Sequence, residues 1–182
     1  MRKARQSARE RLALTAALLS LSLGCCPGRS YSGPGEVQRH CWPFVNFEVL
    51  FDVQSMAPGD SKSWDFRRFP ELDSVTGFTV SSRSGLPCAQ LEKNASLSDA
   101  SVLLELRRRD GSVVVTKSGP LRDWVWSYGG GGGETCEVYD DSLFFSPSSA
   151  DDYRLVFVTD GAWPPDAALD DVYIGSYATY SP

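Results

Sequence analysis

Asp140-Asp141, Asp151-Asp152 and Asp170-Asp171 are three acidic doublets in the last third of the chain, where residues 123–182 hold eleven Asp and Glu against one base, Arg154. Carboxylates gathered in this way can serve three ends. They can shape turns and keep an exported domain soluble, because Asp favours turns and like charge resists association. They can bind calcium, which takes about six to eight oxygens. The candidate ligands are then Asp140, Asp141, Asp170 and Asp171, although no D-x-[DN]-x-[DN]-G loop occurs. Or one pair can hydrolyse a glycosidic bond, which requires two acids at a set separation across a cleft. Neighbours along a strand point to opposite faces, so a doublet alone does not set that separation.

Aromatic and basic side chains are the next candidates. Trp124 and Trp126 alternate along one segment, and Trp163 sits in the loop-like run Gly161-Ala162-Trp163-Pro164-Pro165. Aromatic faces on a sandwich can stack on sugar rings, as in many carbohydrate-binding modules. If the face carrying Trp124 and Trp126 is the inner one, those two are core instead. Trp163 is the better candidate for an exposed contact. Arg107-Arg108-Arg109 stands just before a turn. It can meet an acidic partner or membrane headgroups, or guard an edge strand against strand addition.

Several chemistries are excluded. The net charge is −5, and −9 without residues 1–24, which argues against a nucleic-acid partner. His40 is the only histidine, so a multi-histidine metal site and an H-E-x-x-H helix are impossible. His40 lies beside Cys41 and Trp42 at the edge of a loose segment, a poor place for a base that a third group must hold. No G-x-S-x-G elbow occurs. Gly129–Gly133 is followed by Glu134 and Thr135, where a phosphate loop needs a lysine and a hydroxyl, so the tract reads as a hairpin loop. Asn94-Ala95-Ser96 is a glycosylation triplet, relevant only in a eukaryotic secretory pathway.

The start of the chain carries an address. Arg2, Lys3, Arg5, Arg9 and Arg11 precede an uncharged run from Leu12 to Gly24. This is the pattern of a secretory signal over residues 1–24, and the run falls short of the about 20 residues a membrane span needs. Leu21-Ser22-Leu23-Gly24-Cys25-Cys26 resembles the lipobox of bacterial lipoproteins. The resemblance implies lipidation of Cys25 and a membrane partner held through the anchor. Ser22-Leu23-Gly24 also satisfies the small-x-small rule of ordinary signal cleavage, which would give a secreted protein.

With Cys25 lipidated, Cys26, Cys41, Cys88 and Cys136 remain, an even set in a compartment that permits disulfides. Cys88 and Cys136 both fall inside the expected domain and form the expected pair. Closing a loop of roughly 50 residues stabilises by about 3–4 kcal/mol in the chain-entropy view. Cys26–Cys41 would then close a loop near the tether. No C-x-x-C spacing occurs, so zinc-ribbon and thioredoxin-like sites are excluded.

The elements that must position these groups read as strands. Pro27, Gly28, Ser30, Ser32, Gly33, Pro34, Gly35 and Pro43 give residues 25–43 the composition of a flexible tether. Residues 44–182 form the expected domain. Val45, Phe47, Val49, Phe51 and Val53 share one face of an alternating run, and period two with such residues marks a half-buried strand. Similar runs occur over 63–66, 75–82, 102–107, 112–117, 124–128, 137–145, 153–157 and 172–177. Asp110-Gly111 predicts a tight hairpin in which both central residues take positive φ. Residues 83–100 read as a long polar loop. No segment after residue 25 shows a helical period of ten residues or more.

About eight short strands with turn signals between them predict an all-β single sandwich, jelly-roll or immunoglobulin-like. The run Ala150–Phe157 resembles the late strand of many extracellular sandwich modules, with a spacing that departs from the tyrosine-corner pattern. The functional expectation is an exported, lipid-anchored, non-catalytic module of the bacterial cell envelope. Its partner would be a glycan or an envelope protein, with calcium the one cofactor the residues allow. The rival is a carboxylate-dependent hydrolase of envelope polysaccharide, which would show a cleft with two acids about 5–10 Å apart and one pKa raised by burial. A structural subunit would show a large exposed apolar patch.

Overall fold

The structure is a computed structural model that describes residues 31–40, 46–128 and 135–177. Among these, ten strands follow one another: β1 (Glu36–His40), β2 (Asn46–Asp52), β3 (Ser61–Arg67), β4 (Ser74–Ser82), β5 (Ser101–Arg108), β6 (Val113–Pro120), β7 (Val125–Tyr128), β8 (Thr135–Phe145), β9 (Asp152–Asp160) and β10 (Ala167–Tyr177). One helix, α1 (Cys88–Ser96), lies between β4 and β5, and a 3-10 turn (Leu121–Asp123) between β6 and β7. The strands build a six-stranded sheet, β1-β2-β10-β4-β8-β7, and a four-stranded sheet, β3-β9-β5-β6. Every pairing is antiparallel. The all-β sandwich expected from the alternation is the fold.

The inner faces meet through aromatic rings. Phe51 on β2 packs on Trp64 of β3 with ring centroids 5.1 Å apart, and Phe78 on β4 packs on Phe157 of β9 at 5.5 Å. Phe47, Val49, Phe51 and Val53 are all buried, as the period-two reading of β2 requires. Each fully buried side chain of this size stabilises by about 1.5–3 kcal/mol. The outer face of the six-stranded sheet is covered at one point. Tyr173 lies opposite Gly77 in the β10–β4 register, and a Cβ added to Gly77 would stand 2.7 Å from the Tyr173 hydroxyl and 2.6 Å from the Val138 carbonyl. Only glycine admits that approach.

Four local expectations change. First, part of the expected tether of 25–43 is built into the domain. Tyr31 packs against Phe47, Phe66 and Phe69, and Glu36–His40 forms β1 at the sheet edge. Second, the expected polar loop of 83–100 contains α1. Pro87 opens it, and Cys88, Leu91 and Ala95 recur on one buried face over nine residues, too short a run to stand out as periodic. Third, only Gly111 takes positive φ in the β5–β6 turn (φ 88°), because the loop has three residues and places glycine at its left-handed position. Fourth, the Tyr153 hydroxyl accepts a hydrogen bond from the Ser148 N–H at 2.7 Å and donates to the Ser148 carbonyl at 3.3 Å. A tyrosine corner therefore forms in spite of the unusual spacing.

Cys88 and Cys136 are joined in a disulfide that ties α1 to β8, with Cα atoms 5.6 Å apart. Cys25, Cys26, Cys41, the signal segment 1–24 and Gly129–Gly133 lie outside the described residues. Among the described residues no helix is long and apolar enough to cross a membrane.

One ion pair closes the open edge between the sheets. Lys117 Nζ on β6 reaches Asp140 Oδ2 on β8 at 2.8 Å. Burial alone would raise the Asp140 pKa. The Lys117 ammonium, the Ser142 hydroxyl and the Ser142 N–H outweigh it and hold the carboxyl at about 2, below the ordinary 3.8. The stabilisation is complete where folded and unfolded Asp140 are both ionised, and it is lost as pH falls through 3.8 to about 2. The free energy of unfolding should therefore drop by about 2 kcal/mol on this account between pH 5 and pH 2. Asp140→Asn should flatten that part of the profile. Superimposable urea-unfolding profiles for the two proteins would place the acid sensitivity elsewhere.

Candidate functional site

The expected contact residues separate. Trp124 and Trp126 are 5% and 8% exposed and belong to the core. Their indole N–H groups donate to the carbonyls of Gly119 and Leu121. Both therefore point inward from the β7 segment and offer no platform to a ligand. Trp163 is half-buried, edge-on to Phe78 at 6.4 Å, and its Nε1 is buried without a hydrogen-bond partner. It flanks a shallow recess bounded by Leu97, Pro164 and Pro165.

The acidic doublets separate too. Asp140 is engaged by Lys117, and Asp141 is exposed. Asp170 and Asp171 sit in the bulge of β10, two strands from β8 across β4. The Ser81 hydroxyl donates to Asp170 at 2.9 Å. Thr79 Oγ1 accepts the Asp171 N–H and donates to the Asp171 carbonyl. Among the described residues no three His, Cys, Asp or Glu side chains converge on a point fit for a metal ion.

A different constellation comes together on the outer face of the four-stranded sheet. Here lies a trough of about 850 Å³. Period-two alternation aims Asp65 and Arg67 of β3, Leu103, Glu105 and Arg107 of β5, and Asp152, Arg154 and Val156 of β9 away from the core. Arg109 and Gly111 of the β5–β6 turn close one end. Ser32 and Gly33, held by a backbone bridge from Ser32 to Arg67, form one wall. The left-handed residue Arg68 (φ 58°) lets the chain drop Phe69 into the core directly after Arg67. β5 is an interior strand of this sheet, between β9 and β6. The arginine run therefore does not guard an edge; it lines the trough.

The guanidinium groups are held by carboxylates. Arg154 grips Asp65 with two bonds, Nε to Oδ1 at 2.7 Å and Nη2 to Oδ2 at 2.8 Å. Arg107 pairs with Glu105 on its own strand. Arg108 meets Asp151 at 2.8 Å, and Arg109 meets Asp152 at 3.2 Å. The Tyr153 corner steadies both aspartates' segment, and its hydroxyl also reaches Asp151. Burial raises the Tyr153 pKa, so the hydroxyl stays a donor. Hydrogen bonding from Arg154 holds the Asp65 carboxyl below the usual carboxylate range. A carboxyl held ionised in this way is a poor proton donor.

The doublet Asp151-Asp152 and the run Arg107–Arg109 were visible as charges in the sequence. Their convergence was not, because it depends on β9 inserting between β3 and β5.

No protein-family model and no curated protein matches this chain. Solved structures give distant likenesses. Latent dimeric PorU from Porphyromonas gingivalis is 9% identical, with a TM-score of 0.34; the match covers 80% of this chain and 14% of that one. The CBM36-1 domain of a multidomain xylanase from the hindgut metagenome of Trinervitermes trinervoides is 13% identical at a TM-score of 0.31, covering 84% of this chain and 95% of that one. TmCBM27, a carbohydrate-binding module described for mannan recognition, is 8% identical at 0.32, covering 83% and 91%.

Asp171 offers a check on the second acidic doublet. Burial, then the charges of Asp170, Asp52 and Glu36, raise its pKa above 3.8. A raised carboxyl costs the fold nothing at low pH and increasingly more as pH climbs from its unfolded to its folded pKa. Asp171→Asn should raise the thermal midpoint at pH 7 and leave it unchanged near pH 3. An unchanged or lower midpoint at pH 7 would show that the ionised carboxylate is not under strain.

Proposed function

We propose that this protein is an exported, lipid-anchored, non-catalytic module that binds a glycan of the bacterial cell envelope in the trough of its four-stranded sheet. The trough is the observation that carries the reading. Its guanidinium forks present planar donors already oriented by carboxylates, suited to oxygen-rich ligands. Leu103 and Val156 supply apolar surface between them, against which the C–H faces of sugar rings can lie. An extended peptide would be expected at a sheet edge, where backbone groups are free; this site lies on a face.

Hydrolysis is disfavoured by the same geometry. A glycosidase needs one carboxyl kept protonated by its surroundings. Asp65 is shifted the opposite way, and Asp171, whose pKa is raised, belongs to the other sheet. Export is supported by the basic and apolar start of the chain and by the Cys88–Cys136 disulfide, which belongs to an oxidising compartment. The anchor is supported by the lipobox-like residues ending at Cys25.

Two measurements test this reading. In affinity electrophoresis through gels containing a panel of neutral and acidic polysaccharides, the protein should be retarded by at least one. Val156→Trp, which obstructs the middle of the trough, should abolish the retardation, and Leu97→Ser, outside the trough, should not. Reducing sugar should not accumulate. Retardation that survives Val156→Trp, or release of sugar, would overturn the site or the non-catalytic role. Intact mass of protein from the membrane fraction should give an N-terminus at Cys25 carrying acyl chains. An unmodified N-terminus recovered from the medium would remove the anchor.

A further inference from the structure

Five arginines and three carboxylates line the trough, on a protein whose net charge is −5. The local sign is therefore opposite to that of the whole molecule. Arg107 and Arg154 stand directly opposite each other in the β5–β9 register. Like charges in such a pair repel; Arg154 is balanced by Asp65 on the strand beyond it, and Arg107 by Glu105 two residues back on its own strand. The space between the two guanidinium groups favours an anion. Arg67 adds a guanidinium that makes no ion pair with any described residue. Arg109 is 85% exposed and keeps a single 3.2 Å contact, so most of its donors are unspent. Among the described residues that line it, the trough offers no exposed aromatic ring: Phe66 and Tyr153, which border it, are 4% and 2% exposed. Stacking, the usual attachment for a neutral sugar, has no platform among these residues, whereas fork-to-carboxylate pairing has Arg67 and the unspent donors of Arg109.

We infer that the glycan taken by this trough is acidic, a polymer whose sugar rings carry uronate carboxylates. The inference rests on the trough being the glycan site. Arg67 and Arg109 are the residues that would engage the ligand carboxylates. Arg107 and Arg154 would flank a further one, while Asp65 and Glu105 keep their forks in position.

The test compares polygalacturonate, the same polymer fully methyl-esterified, alginate and neutral xylan, by calorimetry on the purified protein. Polygalacturonate or alginate should bind, and esterification should weaken binding by about tenfold or more, the loss expected for one charge-assisted pair. Binding should weaken as NaCl rises from about 50 to about 500 mM. The double variant Arg67→Ala, Arg109→Ala should lose about tenfold with its thermal midpoint unchanged, because both side chains are exposed. Equal binding of free and esterified polymer, or binding of xylan alone, would overturn the inference and leave the glycan-binding reading in place. Binding of none of the four would remove both.

Discussion

The packing of aromatic rings between the two sheets fixes every other feature of this domain. Phe51 against Trp64 and Phe78 against Phe157 commit one face of β2, β3, β4 and β9 to the interior. Phe66 stacked on Tyr153 at 5.6 Å extends the commitment along the β3–β9 pair. A strand has only two faces, so choosing the inner one chooses the outer one. Asp65 and Arg67 point out because Trp64 and Phe66 point in, and Asp152 and Arg154 because Tyr153 and Leu155 do. A register slip of one residue would bury the charges and expose the rings. Core and trough are one decision made once.

The ion pairs on the outer face act on orientation more than on stability. Arg154 and Asp65 are 55% and 68% exposed, and exposed pairs contribute little to folding. Their effect is to hold long, flexible side chains in one geometry; in the proposed binding role, that would lower the entropy lost on binding. The Tyr153 corner adds a backbone constraint. By bonding Ser148 it fixes the entry to β9, and Asp151 and Asp152 stand at that entry to receive Arg108 and Arg109. The contrast with Lys117–Asp140 is instructive. That pair is more enclosed, spans the two sheets, and has a carboxyl pKa held near 2.

The strands were legible in the sequence because alternation of apolar and polar residues is a direct record of a half-buried sheet. The Cys88–Cys136 pair was legible for a simpler reason: both fall inside the expected domain, while the other cysteines lie before it. β1 was hidden by Gly33, Pro34 and Gly35, whose composition speaks of a tether while Tyr31 and Val37 on either side pack on the core. α1 was hidden by length, since its buried face shows only Cys88, Leu91 and Ala95. Trp124, Trp126 and Trp163 attracted a ligand reading because aromatic chemistry is the same in a core and on a platform; only the sheet face decides, and it turned the first two inward. The trough was out of reach for a different reason. It is assembled from β3, β5, β9 and the segment before β1, and sequence carries no local sign of which strands become neighbours.

Charge along the chain and charge in space differ here for a topological reason. The last third is almost purely acidic, yet its one base, Arg154, and its doublet Asp151-Asp152 are carried by β9 into the middle of the four-stranded sheet. There they meet the arginines of β3, β5 and the β5–β6 turn. Five other acids of that third, Glu137, Asp140, Asp141, Asp170 and Asp171, lie on β8 and β10 of the other sheet. The fold thus sorts charge by layer, leaving a trough with an excess of arginine on a body of negative sign. A polyanion meeting such a molecule would find guanidinium groups gathered in the trough of a protein whose net charge is negative. That arrangement gives orientation and selectivity at some cost in encounter rate. Electrostatic discrimination of this kind works over a Debye length of about 8 Å at physiological ionic strength. It therefore acts where the ligand already lies close, which suits a domain held beside its target better than one that must search for it.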